Sequence, residues 1–249
     1  MHLPTGSAQP TISVASADAS PALKAALWDM DGTLVDTEPY WIAAEIELVR
    51  AHGGHWDEEM AKSLVGSALE TSARVLQNAG VKLEVREIVD HLSQKVIEGI
   101  RTALPWRPGA RELLADLHGR GVRCVLVTMS ERPMAQEVVN ALPAKFMEFL
   151  VTGDQVVNGK PHPEPYLSAI ELLREADPEL TAAHCVALED SAPGVASAMA
   201  AGVATIAIPH VVALADDPNR TTWDTLAGKT YDDVSAVVAA RADSAGVRT

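Results

Sequence analysis

The chain has 249 residues, 47% of them hydrophobic and 22% charged, with a formal net charge of −14. That length holds one large domain, or a medium domain with an insertion, and the composition is that of a globular protein. The acidic balance argues against nucleic acid or an anionic membrane as partner, because no surplus of Lys or Arg exists to neutralise phosphates.

Residues 1–22 are rich in Ala, Ser, Thr and Pro, and the first cation is Lys24. They read as a flexible arm rather than a secretory leader, which places the protein in the cytoplasm. Cys124 and Cys185 both lie inside apolar runs. They read as packed thiols of a reducing compartment, not as a disulfide or a metal site. No segment has the length of an apolar membrane span.

The apolar run Ala25-Ala26-Leu27-Trp28 stops at Asp29, and Asp31 follows two positions later, before Gly32 and Thr33. With residues 24–29 as a buried strand, both acids sit at its carboxyl end, where open α/β sheets place their ligands. Two carboxylates there repel each other unless a cation or a shared proton intervenes. A plain polar turn is the alternative, since Asp and Gly are ordinary turn residues.

The pattern then becomes helical. Glu38-Pro39 opens a run through Trp41, Ile42, Ile46 and Val49 that stops at Gly53-Gly54. Residues 57–64, 69–79 and 84–103 keep helical spacing without an alternating strand, which predicts a small helical cap over 36–106. Linkers at 34–37 and 104–108 tie it to the rest as paired hinges, so that the cap can close over a site and exclude water.

Residues 23–35 and 107–241 make up the expected core. Helices are predicted at 111–120, 131–142, 163–175 and 192–201. Strands are predicted at 122–127, 149–152, 185–188 and 203–208, with a polar turn at 153–159. Repeated βα units of this kind imply an α/β fold, a doubly wound, Rossmann-like parallel sheet with right-handed crossovers. Its strand ends collect the polar clusters along one edge. Residues 242–249 read as a flexible tail.

Four of these clusters occur in an order that resembles the haloacid dehalogenase superfamily. Asp29-Met30-Asp31-Gly32-Thr33 looks like its first motif, Thr128 after a hydrophobic strand its second, and Lys160 in Gly159-Lys160-Pro161 its third. Glu189-Asp190-Ser191, followed by Ala192-Pro193-Gly194, looks like its fourth. The helical insertion is similar to the cap of the branch that contains β-phosphoglucomutase and phosphoglycolate phosphatase.

The resemblance implies a phospho-aspartyl mechanism with Mg²⁺. Asp29 would be the nucleophile and a metal ligand, Asp190 a second ligand, the Asp31 backbone carbonyl a third, and Glu189 an outer support. Asp31 would act as general acid and base. Thr128, Lys160, Ser130 and the amides around Gly32 would hold the phosphoryl group. Bland alternatives stand beside each role: acids at a helix N-terminus for Glu189-Asp190, a strand-ending Thr128, a surface Lys160, and a helix cap for Ser130.

Trp41 aligns where the mutase carries His, and Leu69 where it carries Arg. Neither can handle the mutase's proton or distal phosphate, so hydrolysis is expected. Trp41, Leu69 and Met129 are expected to give the closed site an apolar wall, unless Trp41 and Leu69 are simply cap core. The reading is therefore a phosphatase for a small phosphorylated metabolite, with a sugar phosphate as the leading guess, acting as a monomer or weak dimer. A β-phosphoglucomutase-type mutase and a non-catalytic phospholigand sensor are its rivals.

Overall fold

The structure, a computed structural model, describes residues 22–65 and 67–246, with side chains through residue 241. Six strands form one parallel sheet: β1 (Ala25–Trp28), β2 (Arg123–Val127), β3 (Met147–Val151), β4 (Cys185–Glu189), β5 (Ala204–Ala207) and β6 (Thr221–Thr222). Their order is β3-β2-β1-β4-β5-β6. β1 is central, with Leu27 level with Val125 on one side and Ala187 on the other. Strand order reverses between β1 and β4, which opens a crevice at their carboxyl ends.

β1 is buried throughout because both faces of the sheet are covered. Ala26 and Trp28 join a cluster with Leu113, Leu117 and Met134, whereas Ala25 and Leu27 join Tyr166, Leu173 and Ala198 on the opposite face. This is the two-residue alternation of a strand. The first face is covered by α5 (Ala110–Gly119), α6 (Arg132–Ala141) and α9 (Tyr231–Gly246), the second by α7 (Glu164–Ala176) and α8 (Ala192–Ala200). Cys124 and Cys185 are buried and free, and burial pushes each thiol up to about 12.

Between β1 and β2 lie α1 (Glu38–Ala51), α2 (Glu58–Lys62), α3 (Leu69–Asn78) and α4 (Val85–Thr102). They share a core of their own around Leu48, Trp56, Leu76, Ile88 and Leu92. The last turns of α4 instead put Val96, Ile97 and Ile100 into the main core. Arg86 pairs with Glu131 and Arg101 with Glu137, joining α4 to α6 and its start. Such exposed pairs contribute little stability, about 0–1 kcal/mol each, and chiefly orient the two bodies. The two linkers form a short ribbon: Val35 bridges Trp106, the Asp36 N–H donates to Pro105 O at 2.7 Å, and the Arg107 N–H donates to Leu34 O at 3.1 Å.

Most predicted elements differ from the observed ones by a residue or two at their ends, the ordinary scatter of helix and strand boundaries. Two were unforeseen. β6 has only two residues and is held by β5. α9 starts where Thr230 donates through N–H and hydroxyl to Asp233, a box that Thr230-Tyr231-Asp232-Asp233 does signal. The same helix continues to Gly246, past the expected boundary at 241. Of the expected arm at 1–22, residues 1–21 lie outside the described residues, as do residues 247–249 of the expected tail at 242–249. Among the described residues no helix is long and apolar enough to cross a membrane.

Candidate active site

Four polar segments meet at the carboxyl edge of the sheet. Asp29 follows β1, Thr128 and Ser130 follow β2, Lys160 lies in the loop after β3, and Glu189-Asp190 closes β4. The loop after β1 winds tightly, with the N–H groups of Thr33, Leu34 and Val35 all donating to Met30 O. Gly32 takes φ +84°, and a Cβ there would lie 2.1 Å from Asp190 Oδ2. Only glycine lets this turn approach the Asp190 carboxylate so closely.

Lys160 anchors the site. Its ammonium lies 2.7 Å from Asp29 Oδ1, 2.6 Å from Glu189 Oε1 and 2.9 Å from Val127 O, with the side chain 5% exposed. An ammonium has three donors, and all are used. Burial opposes the charge, but Asp29 and Glu189 outweigh it and hold the ammonium protonated.

Ligand atoms of Asp29, Glu189 and Asp190 lie within 4.8 Å of one another. Three carboxylates against one ammonium leave two excess negative charges. Burial first, then the neighbouring Asp29 charge, pushes the Asp190 and Glu189 carboxyls up. Asp29 Oδ2 is buried without a hydrogen-bond partner. An orphaned carboxylate oxygen in an all-oxygen, over-negative cluster fits a hard divalent cation such as Mg²⁺.

Asp31 stands apart from this cluster. Its Oδ2 accepts from Ser130 Oγ at 2.6 Å and from Thr128 Oγ1 at 3.5 Å, while Oδ1 accepts from Thr37 Oγ1. Trp41 is its weakest side-chain partner. Burial raises the carboxyl, and the bonds from Ser130 and Thr37 offset only part of that. A raised carboxyl surrounded by hydroxyls is suited to holding and releasing a proton.

Several expectations change in detail. Ser130 does not cap the following helix: Glu131 is the N-cap, and the Ser130 hydroxyl goes to Asp31. Met129 packs under the Lys160 loop, where its sulfur accepts the Lys160 N–H at 3.2 Å and faces Gly159. Leu69 opens α3 and packs, partly buried, against the core of the helical insertion. Trp41 is half-buried between the two cores. Glu189 spends Oε1 on Lys160 and on Tyr166, whose hydroxyl donates at 2.5 Å. Neither Thr37 nor Tyr166 was singled out from the sequence. Thr37 reads as the N-cap of α1, yet its hydroxyl makes no cap bond and serves Asp31 instead.

Glu38, Trp41 and Glu45 fall at i, i+3 and i+7, one face of α1. Burial, then the charges of Asp31, Glu45 and Asp36, pushes the Glu38 carboxyl up to about 8. Glu45 is 5% exposed and accepts the Trp56 indole N–H at 3.2 Å. Burial nevertheless holds its carboxyl at about 7. Between the unfolded value and pH 7 the native state therefore binds more protons, and stability falls as pH rises through that window. Glu45→Gln removes this loss. In urea titrations with EDTA it should match the parent at pH 4 and exceed it by about 3 kcal/mol at pH 8. A difference independent of pH would contradict the assignment.

A model of the haloacid dehalogenase-like hydrolases matches residues 23–202. The chain is 30% identical over 189 residues to a phosphorylated carbohydrates phosphatase of Thermotoga maritima, covering 74% of this chain and 84% of that protein. It is 36% identical over 191 residues to hexitol phosphatase A of Escherichia coli, covering 74% and 82%. The crystal structure of CbbY from Rhodobacter sphaeroides in complex with phosphate superposes with a TM-score of 0.75 at 25% identity, over 85% of this chain and 99% of that one.

Proposed function

The chain belongs to the haloacid dehalogenase-like hydrolases and is a phosphoric monoester hydrolase among them; we propose that it removes phosphate from a small sugar or polyol monophosphate through a phospho-aspartyl intermediate. The observation that carries this reading is the division of labour between two carboxylates two residues apart. Asp29 is bound to a buried ammonium and has one free oxygen, whereas Asp31 is bound only to hydroxyls and Trp41 and is shifted toward its protonated form.

Asp29 attacks phosphorus, forming a carboxyl–phosphoryl bond as the ester oxygen leaves. Asp31 gives its proton to that oxygen and so releases a neutral alcohol. Asp31, now ionised, takes a proton from water, which attacks phosphorus and frees Asp29 and inorganic phosphate. Lys160 balances charge on Asp29 and the phosphoryl group throughout. Asp29, Asp190 and the Asp31 carbonyl would hold Mg²⁺, which would supply the shielding that lets a carboxylate approach an anionic ester. Residues 36–106 act as a cap that excludes water while the acyl phosphate exists.

Phosphate release from p-nitrophenyl phosphate and a panel of phosphometabolites, with Mg²⁺ or with EDTA, tests this directly. Activity that survives EDTA would remove the metal from the reading. Asp190→Asn is expected to raise the Mg²⁺ concentration for half-maximal rate by about 10–100-fold, the scale seen for metal-site partners. An unchanged Mg²⁺ requirement would exclude Asp190 as a ligand.

The charge of the cap bears on the substrate. Among the described residues of the insertion, Arg50, Arg74 and Lys82 are exposed. Lys62, Arg86, Lys95 and Arg101 are paired with Glu59, Glu131, Glu47 and Glu137. Glu38 is close enough to Asp31 to feel its charge, and Glu45 follows it on the same helix face. Above about pH 8, where Glu38 ionises, a second phosphate or a carboxylate on the substrate would meet repulsion there, whereas hydroxyls would find acceptors. Polyol monophosphates should therefore outcompete bisphosphates and phosphorylated acids. At pH 9, where Glu38 is ionised, Glu38→Gln should narrow that kcat/KM ratio by about tenfold, about 1.4 kcal/mol. An unchanged ratio would take Glu38 out of substrate selection. Once ionised, Glu38 also disfavours mutase chemistry, which must hold a bisphosphate.

A further inference from the structure

Glu189 differs from the other acids of the cluster in having both oxygens engaged. Oε1 accepts from the Tyr166 hydroxyl at 2.5 Å and pairs with the Lys160 ammonium at 2.6 Å. Oε2 lies 3.5 Å from Ser191 Oγ, and a Cβ on Gly194 would fall 1.9 Å from it, so the first turn of α8 closes that side. Asp29 Oδ2 has no such partner. Glu189 is therefore placed as a counter-ion of Lys160, while Asp29 keeps an oxygen without a partner.

Tyr166 touches both members of this pair. It stands in the first turns of α7, has no exposed surface, and carries its ring 5.4 Å from the Lys160 ammonium. The ammonium is a point charge on a flexible four-carbon stem, so its position depends on what surrounds it. Here it is shared between Asp29 at 2.7 Å and Glu189 at 2.6 Å. A Glu189 carboxylate free to rotate would alter that sharing.

We propose that Tyr166 is a positioning residue: its hydroxyl fixes Glu189, and Glu189 so fixed sets the Lys160 ammonium against Asp29. The proposal rests on the phosphatase reading for its consequence, but not for its geometry. A misplacement of about 1 Å in such a constellation can cost as much as 100-fold in rate.

Two measurements test it. The ¹⁵N signal of the Lys160 ammonium, assigned by its loss in Lys160→Met, reports the charge clamp without turnover. Tyr166→Phe should shift it and speed its proton exchange by about tenfold or more, because one of the bonds fixing its counter-ion is gone. Glu189→Gln, which severs the same link from the other side, should also move the signal. In a double-mutant cycle with p-nitrophenyl phosphate, Tyr166→Phe should lower kcat by about tenfold with little change in KM, but by less than about twofold when Glu189 is already Gln. An unmoved ammonium signal, or equal losses in both backgrounds, would make Tyr166 a core residue only. A moved signal in a chain that releases no phosphate would leave the clamp standing and sink the phosphatase reading.

Discussion

Asp29→Asn is expected to lower kcat/KM for ester hydrolysis by at least about 10⁴-fold, the scale on which removal of a nucleophile acts. An amide oxygen can still accept from Lys160, so the geometry of the clamp survives. The variant loses an ion pair at 2.7 Å but also relieves the repulsion that Asp29 exerts on Asp190 and Glu189. These changes oppose each other, and the melting temperature in EDTA should stay within a few degrees of the parent, because about 1 kcal/mol shifts a chain of this size by 2–4 °C. Rapid quench of the parent during turnover should trap a phosphoryl group on Asp29, and the variant should trap none. Equal phosphate release by parent and variant would overturn the nucleophile assignment.

Lys160→Met is expected to damage the fold as well as the reaction. Methionine fills the volume but leaves Asp29 and Glu189 buried without their ammonium. Breaking a buried pair from one side costs about 3–5 kcal/mol. The sign of its pH dependence follows from the same physics. Without Lys160 the Glu189 carboxyl shifts further upward, the native state holds an extra proton at neutral pH, and stability falls as pH rises. The variant should therefore lie closest to the parent at about pH 5 and furthest below it at about pH 8. Mg²⁺ binds only the folded site and should stabilise the variant more than the parent, since it replaces a missing charge. Thermal melts across pH, with Mg²⁺ and with EDTA, read all three effects. A loss under about 1 kcal/mol at pH 8 would mean that the cluster does not need the ammonium.

Strand ends were legible in the sequence because they depend on local pattern. The short apolar runs stop abruptly at Asp29, Thr128 and Glu189-Asp190, and all three stops appear at the carboxyl edge of the sheet. β-Branched and apolar residues without alternation mark strands buried on both faces, and the βα repeat then dictates parallel pairing. Lys160 was recognisable from its tightly turning neighbours, although a lone lysine normally carries no signal. α9 carried a legible start in Thr230 and Asp233, whereas β6 had too few residues to show a period.

Contacts between distant elements were not legible. Ser130 and Thr37 each look like helix caps by type and position, yet both hydroxyls are drawn to Asp31 across 99 and 6 residues of chain. Met129 reads as apolar lining and becomes an acceptor for the Lys160 N–H. Tyr166 reads as a helical core residue and places its hydroxyl on Glu189, 23 residues away.

The sequence by itself determined the α/β class, the order of the strands' polar ends and the two carboxylates at Asp29 and Asp31, because hydrophobic period and turn chemistry act over a few residues. Tertiary structure decided which carboxylate faces an ammonium, which faces hydroxyls, and which oxygen is left without a partner. Those outcomes depend on burial and on atoms brought together from separate elements. Removal from water turns such distances into charge states, and charge states assign the roles.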